Sequence, residues 1–309
     1  MNRFKNILYF ADGTTEPDHA LERSFLLAEN NQARLTLLDV IEPVDIPKDL
    51  TMRFGLDLQD MLIQKRLEEL EQLAEPFRTA DSLIYSKALF GTAFIEVIKA
   101  VASHGYDLVV KSAKSSDGLS DRILGSTDLH LLRKCPCPVW VDRPGAAAHY
   151  RQVLAAVDPM APPHDNCAAL IMDLATSLAR RESAQVKVVH AWKLNGESML
   201  RDGRFRLSQT ELDLLLNETQ SRHRERLQGL LKDYDLAVDD EGVFVVKGEA
   251  SVAIHQVSVD QNADLIVMGT LGRSGIPGLF IGNTAEDVLQ NTTASILAVK
   301  PPSFVSPVT

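Results

Sequence analysis

The chain has 309 residues, of which 45% are hydrophobic and 24% charged, a composition that suits two globular domains of about 150 residues better than one. Its formal charge of −10 argues against an extended nucleic-acid surface, which needs an excess of Lys and Arg, and leaves room only for a local basic pocket. Three cysteines, Cys135, Cys137 and Cys167, are too few and too odd for a disulfide framework and fit a reducing cytoplasm.

Residues 1–5 lead straight into an apolar strand over Asn6–Phe10, without a long apolar leader, and no stretch approaches the length of a membrane span. The expectation is a soluble, cytoplasmic protein. Short strands follow at Ile7–Ala11, Leu35–Ile41, Leu83–Leu89, Leu108–Val110 and Val139–Val141. They are almost continuously apolar, which suits a parallel sheet covered on both faces. Between them, residues 61–77 carry Leu62, Leu67, Leu70 and Leu73 at helical spacing. Cys135-Pro136-Cys137 has one intervening residue, not the two of common redox and zinc motifs, and reads as packed cysteines. The run Arg143-Pro144-Gly145-Ala146-Ala147-Ala148 reads as a linker.

Beyond the linker the pattern returns. Val153 to Asp158 repeats the apolar run ending in Asp of Ile7 to Asp12, and 211–234 repeats the amphipathic helix. Asp107-Leu108-Val109-Val110 matches Asp264-Leu265-Ile266-Val267, Gly125-Ser126-Thr127 matches Gly282-Asn283-Thr284, and Gly91 matches Gly248, all at an offset of 157 residues. Separated matches at one constant offset indicate duplication. The first strand is offset by 146, so an 11-residue insertion is expected, placed around Lys193 to Gln209. The expected domains are residues 1–143 and 150–301. Strands alternating with helices imply right-handed crossovers and doubly wound sheets, one five-stranded sheet in each half, not one continuous sheet. In such sheets ligands sit beyond the carboxyl ends of the strands at the switch point, where Asp12, Asp158 and both glycine segments fall.

The segment with most chemistry runs from Val267 through Gly269-Thr270-Leu271-Gly272-Arg273-Ser274-Gly275 to Gly282-Asn283-Thr284-Ala285-Glu286. It leaves a strand, crosses a glycine-rich loop and enters a helix. Such loops bring backbone N–H groups close to an anion, and the helix dipole favours negative charge there. Arg273 adds a positive charge. The plainer reading is a turn that needs glycines, with Asn283 or Thr284 as a helix cap.

The G-x2-G-x9-G spacing after the fourth strand and the Asp ending the first strand together resemble the universal stress protein family, over nearly the whole chain and twice, with its tandem, E-type members the nearest in pattern. The shared residues include Gly269 to Gly275, Gly282 to Glu286 and, in the first half, Leu131-Leu132-Arg133-Lys134-Cys135-Pro136. The resemblance implies α/β architecture, with two flavodoxin-like (adenine nucleotide alpha hydrolase-like) domains, each a five-stranded parallel sheet with helices on both faces. It implies ATP or a related adenine nucleotide, with or without Mg, held in the second half. Asp158 would serve the adenine side, Ala191 a backbone contact, and Gly269, Gly272, Arg273, Gly282, Asn283 and Thr284 the ribose and phosphates. Asn283 stands where the family usually has Ser or Thr. The resemblance also implies pairing of the final strands, here between Pro138–Val141 and Ser295–Val299 of one chain, with Val139 and Val141 facing the region of Ile296 and Leu297. A homodimer and a protein partner of unknown identity are compatible with it, and neither nucleic acid nor membrane is expected.

The first half departs from this frame. Ser112 and Ser115 replace the first two glycines, and only Gly125-Ser126-Thr127 survives. A Cβ at each position crowds the approach, and Ser tolerates positive φ poorly. Lys111 and Lys114 flank the loop and read as solvated, so the first half reads as degenerate for nucleotide. The chain has no G-x4-G-K-[ST] loop, no G-x-S-x-G elbow and no H-E-x-x-H. Asp12 and Asp158 lie in different halves and are not a catalytic pair. His190 ends a strand near the expected adenine site, where packing beside Trp192 is the simpler reading. The leading function is a non-catalytic, nucleotide-binding stress protein. The alternatives are slow ATP hydrolysis or phosphotransfer, and a non-nucleotide binding or interaction protein.

Overall fold

A computed structural model describes residues 3–43, 58–113, 125–143, 149–162, 167–202, 207–270 and 283–308. The first half runs β1 (Asn6–Phe10), α1 (His19–Asn31), β2 (Arg34–Ile41), α2 (Leu58–Ala74), β3 (Leu83–Phe90), α3 (Ala93–His104), β4 (Leu108–Ser112), α4 (Ser126–Lys134) and β5 (Val139–Asp142). The second runs β6 (Gln152–Ala156), α5 (Ala168–Glu182), β7 (Gln185–Trp192), α6 (Glu197–Asp202), α7 (Gln209–Leu231), β8 (Val243–Lys247), α8 (Ala250–Asp260), β9 (Leu265–Gly269), α9 (Asn283–Asn291) and β10 (Ser295–Val299).

Each half is a parallel sheet of five strands, in the orders β3-β2-β1-β4-β5 and β10-β9-β6-β7-β8. Alternate residues of each strand feed two apolar layers. Ile7 and Tyr9 belong to the layer that also takes in residues of α1, α2, α5 and α7, while Leu8 and Phe10 belong to the layer with residues of α3, α4, α8 and α9. Such two-sided burial is what the continuous apolar runs demand.

The halves do not keep separate sheets. β5 and β10 pair antiparallel, Ile296 opposite Val141, Leu297 opposite Trp140 and Ala298 opposite Val139, and ten strands form one sheet. The expectation of two sheets without continuity is therefore corrected, while the expected pairing of the final strands stands. An apolar edge strand needs a partner for its backbone, and each half supplies the other's. A polar cluster seals the joint. Buried Asp142 accepts from Tyr150 (2.6 Å) and from Ser295 (2.8 Å), and Arg23 stacks over the Tyr150 ring at 3.8 Å.

The expected insertion is likewise redistributed. Arg34 opens β2 and Gln185 opens β7, a separation of 151, whereas β1 and β6 are 146 apart and Arg66 and His223 are 157 apart. Five extra residues thus lie between β6 and β7, and six between β7 and α7. Both stretches begin beyond carboxyl ends of strands, where loop length changes without disturbing the sheet. The cysteines are free, with Cys135 and Cys137 buried, as the packed reading expects.

Candidate functional site

β6 lies between β9 and β7, and the chain turns to opposite sides from it. This is the switch point of the second half, where the carboxyl ends of neighbouring strands leave a crevice. Ala156 of β6 is in register with Met268 of β9. Asp158 follows two residues after Ala156, and Gly269 one after Met268. Both expected residues therefore stand at the same edge of the sheet. Asp158 is half-buried, and its Oδ1 accepts from the Met160 N–H at 3.1 Å. Ala191 lies near the end of β7, opposite Val246, and is half-buried. Asn283 opens α9 and Thr284, half-buried, lies in its first turn. Gly272, Arg273 and Gly282 lie outside the described residues, as do Lys114 and Ser115 of the first half.

Gly269 is needed for space, not for an unusual backbone angle. A Cβ there would come within 2.9 Å of Cys167 Sγ, at the start of α5, and the residue has no positive φ. At the matching place in the first half, Ser112 uses its larger side chain to donate to Asp18, the N-cap of α1, at 2.6 Å. The positive-φ reason for disfavouring serine is thus corrected at this position, and the close approach found is to Cys167. Next to Gly269, Thr270 is buried, and among the described residues its Oγ1 has no hydrogen-bond partner. Sequence reasoning included Thr270 in the glycine run without giving it a role. A buried hydroxyl lacking a partner is uncommon and costs stability.

The first half fills the equivalent crevice with its own charges. Lys111 is not solvated, as its sequence position implied, but 1% exposed. Its Nζ donates to Asp12 at 2.9 Å and also to Asp128. Asp128 sits in the first turn of α4 and accepts from the Gly125 N–H at 3.2 Å. The helix terminus that would attract a phosphate is therefore already met by a carboxylate, which repels an anion. At the 157-residue offset these two positions are Met268 and Ala285, both buried. The second half has neither the ammonium nor the carboxylate. Glu286 in the first turn of α9 pairs with Arg133 of the first half at 2.5 Å, so its charge is also compensated.

A second exchange between the halves lies behind the strand ends. In the first half, buried Asp39 of β2 accepts from Arg66 Nε of α2 at 2.5 Å and from the Gly13 N–H at 3.0 Å. At the corresponding places stand His190 and His223. His190 Nδ1 lies 3.0 Å from the Val157 carbonyl, and its Nε2 lies 2.8 Å from His223 Nδ1. A carbonyl only accepts, so His190 carries its proton on Nδ1 in the neutral pair and accepts from His223 at Nε2. The imidazole thus fixes Val157, the residue before Asp158, as Asp39 fixes the loop after β1. His190 is a packed residue with a positioning role. His223 escaped sequence reasoning because no spacing motif links it to His190; only the paired exchange with Asp39 and Arg66 marks it.

Among the described residues, no group of three or more His, Cys, Asp or Glu side chains is placed to hold a metal ion, and no helix is long and apolar enough to cross a membrane.

The model of the universal stress protein family matches residues 3–143 and again 149–300. The chain is 26% identical to the universal stress protein E homolog of Haemophilus influenzae, over 97% of this chain and 98% of that one. It is also 26% identical to universal stress protein E of Escherichia coli K12, over 100% and 98%. Among solved structures, a protein of unknown function from Pseudomonas aeruginosa PAO1 superposes with a TM-score of 0.74 at 24% identity, covering 97% of this chain and 94% of that one. A universal stress protein from Archaeoglobus fulgidus gives 0.58 at 16% identity, covering 96% and 98%. The two structural likenesses establish the fold.

Proposed function

The chain belongs to the universal stress protein family, with two tandem family segments, and on that premise we propose that it binds ATP or a related adenine nucleotide in its second half alone. The observation that carries this reading is the exchange of Lys111 and Asp128 for Met268 and Ala285. One copy of the duplicated crevice holds the buried Lys111–Asp128 ion pair, and the other has the buried apolar side chains of Met268 and Ala285 at the same two positions. Asp158 would face the adenine side and Ala191 would offer its backbone. Gly269, Gly272, Gly282, Asn283 and Thr284 would surround ribose and phosphates, with Arg273 adding charge. The unpaired Thr270 hydroxyl fits a site that gains a polar partner on loading. A Mg2+ ion, if it accompanies the nucleotide, would rest mainly on phosphate oxygens and water, as this hard cation commonly does. The protein would act in the cytoplasm by binding and not by turnover, as a stress-response component.

The test moves the first half's ion pair into the second. Met268→Lys with Ala285→Asp places a paired ammonium and carboxylate at the start of α9. Calorimetric titration of the folded double variant with ATP should show binding weakened beyond about a hundredfold, given the several kcal/mol at stake when charges are buried. Unchanged affinity would place the nucleotide elsewhere.

A further inference from the structure

The turn that joins α4 to β5 carries Cys135-Pro136-Cys137 and brings two free thiols into contact, Sγ to Sγ at 3.6 Å. We propose that these two cysteines are a reversible modification site, a dithiol that a hydroperoxide oxidises to an intramolecular disulfide. A disulfide holds its sulfurs about 2.05 Å apart, so the pair needs to close by only about 1.5 Å, a shift that small side-chain rotations supply. The turn sets up the contact, because the Cys137 N–H donates to the Cys135 sulfur. At the 157-residue offset the second half has Thr292-Thr293-Ala294, where the Ala294 N–H donates to Thr292 Oγ1 at 3.1 Å. The same turn is thus built there without sulfur, and the dithiol is not a requirement of the fold.

The surroundings favour the reactive form of the pair. Lys300, which follows β10, is 6% exposed and donates to the Leu132 carbonyl of α4 at 2.6 Å, so its ammonium crosses the joint between the halves. Both thiols feel that positive charge. Burial raises the Cys135 thiol, but the hydrogen bonds from Cys137 and the Lys300 ammonium outweigh it and leave Cys135 below its ordinary value. The bond that Cys137 donates to Cys135, and then burial, hold the Cys137 proton well above its own. The singly ionised pair therefore has one proton between two sulfurs and a cation to balance the charge. The thiolate is the nucleophile of cysteine chemistry. Cys137 is 8% exposed and Cys135 0%, so Cys137 is the sulfur that a small oxidant meets first once the shared proton passes to Cys135.

The step balances as a two-electron oxidation. The Cys137 sulfur attacks the terminal oxygen of the hydroperoxide, an S–O bond forms, the O–O bond breaks, and the departing alkoxide or hydroxide takes up a proton. Cys137 is then a sulfenic acid. The Cys135 sulfur attacks the Cys137 sulfur, the S–S bond forms, the S–O bond breaks, and hydroxide leaves with the Cys135 proton as water. The two thiols lose two hydrogens in all, and the peroxide is reduced to alcohol or water. An external thiol reverses the change by exchange through a mixed disulfide. In a reducing compartment such bonds are transient and serve redox sensing.

The test treats the folded, fully reduced chain with hydrogen peroxide, then alkylates it under denaturing conditions for mass spectrometry. The number of alkylated thiols should fall from three to one, Cys167 alone, with two hydrogens lost from the segment holding Cys135 and Cys137, and dithiothreitol should restore all three. Cys135→Ser keeps the first step and removes the second, so Cys137 should carry one added oxygen that dimedone captures. Three thiols still alkylated after peroxide, a disulfide that involves Cys167 or a second chain, or no dimedone adduct on Cys137 in the variant would overturn the proposal.

Discussion

Lys111→Met removes the ammonium from the first half's crevice and leaves Asp128, 1% exposed, facing Asp12 without the ammonium that joined them. Breaking a buried pair by removing one partner costs about 3–5 kcal/mol, because the remaining charge stays desolvated. Asp12 is 18% exposed and can turn part of its charge to water, so the lower part of that range applies, about 3 kcal/mol. Asp128→Ala keeps Lys111 on Asp12 but also uncovers the Gly125 N–H, for a loss of about 2 kcal/mol. The double variant, Lys111→Met with Asp128→Ala, recreates the pair that the second half already packs in the same place. It should lose only about 1–2 kcal/mol, since neither buried charge remains. The coupling between the two sites is therefore about 3 kcal/mol. Urea unfolding followed by the buried Trp140, in a Trp192→Phe background that removes the other tryptophan, reads the first half directly. Additive losses would refute the account of a buried, mutually dependent pair and return Lys111 to the surface.

Three further outcomes follow from the geometry. Burial pushes the Lys300 ammonium down from 10.5 to about 8, against the nearby thiols, which raise it. The folded state then binds fewer protons than the unfolded state between those values, so stability relative to Lys300→Met should rise as pH climbs from about 8 to 10.5, by roughly 3 kcal/mol in all; a flat difference in urea titrations would contradict it. Cysteines at Val139 and Ala298, which lie opposite each other, should join within one chain on oxidation once Cys135, Cys137 and Cys167 are replaced, whereas links formed only between chains and faster at higher concentration would contradict the paired strands. His223→Ala removes the donor to His190 Nε2 and should cost about 1–3 kcal/mol while weakening nucleotide binding through the loosened Val157 and Asp158. Loss of stability with affinity unchanged would show that the imidazole pair does not position the site.

Much of the architecture was legible because it rests on local signals. Apolar runs such as Leu108–Val110, the Leu70 and Leu73 spacing and the recurrence of Gly91 as Gly248 each survive in the fold, the two glycines with φ of 150° and 148°. What was not legible depends on partners distant in sequence. Lys111 looked like a loop lysine because its carboxylates lie 99 and 17 residues away. His223 carried no motif, since its meaning comes from His190 across the sheet edge. The edge pairing was anticipated, but its consequence, a single ten-stranded sheet, followed only from the register of β5 on β10. The positive φ expected of the glycine at 269 is absent, and what a Cβ there would meet is the sulfur of Cys167, 102 residues away in sequence.

The asymmetry between the two crevices makes one quantity decisive, the number of adenine nucleotides bound per chain. Equilibrium dialysis of ATP against the full-length protein, with the bound nucleotide identified by mass spectrometry, measures it. One nucleotide per chain is predicted, with the value unchanged in Lys111→Met/Asp128→Ala because the first half also has Ser112 and Ser115 in place of the first two glycines. Two per chain in the unaltered protein would contradict the account, and none at saturating ATP would contradict it as well.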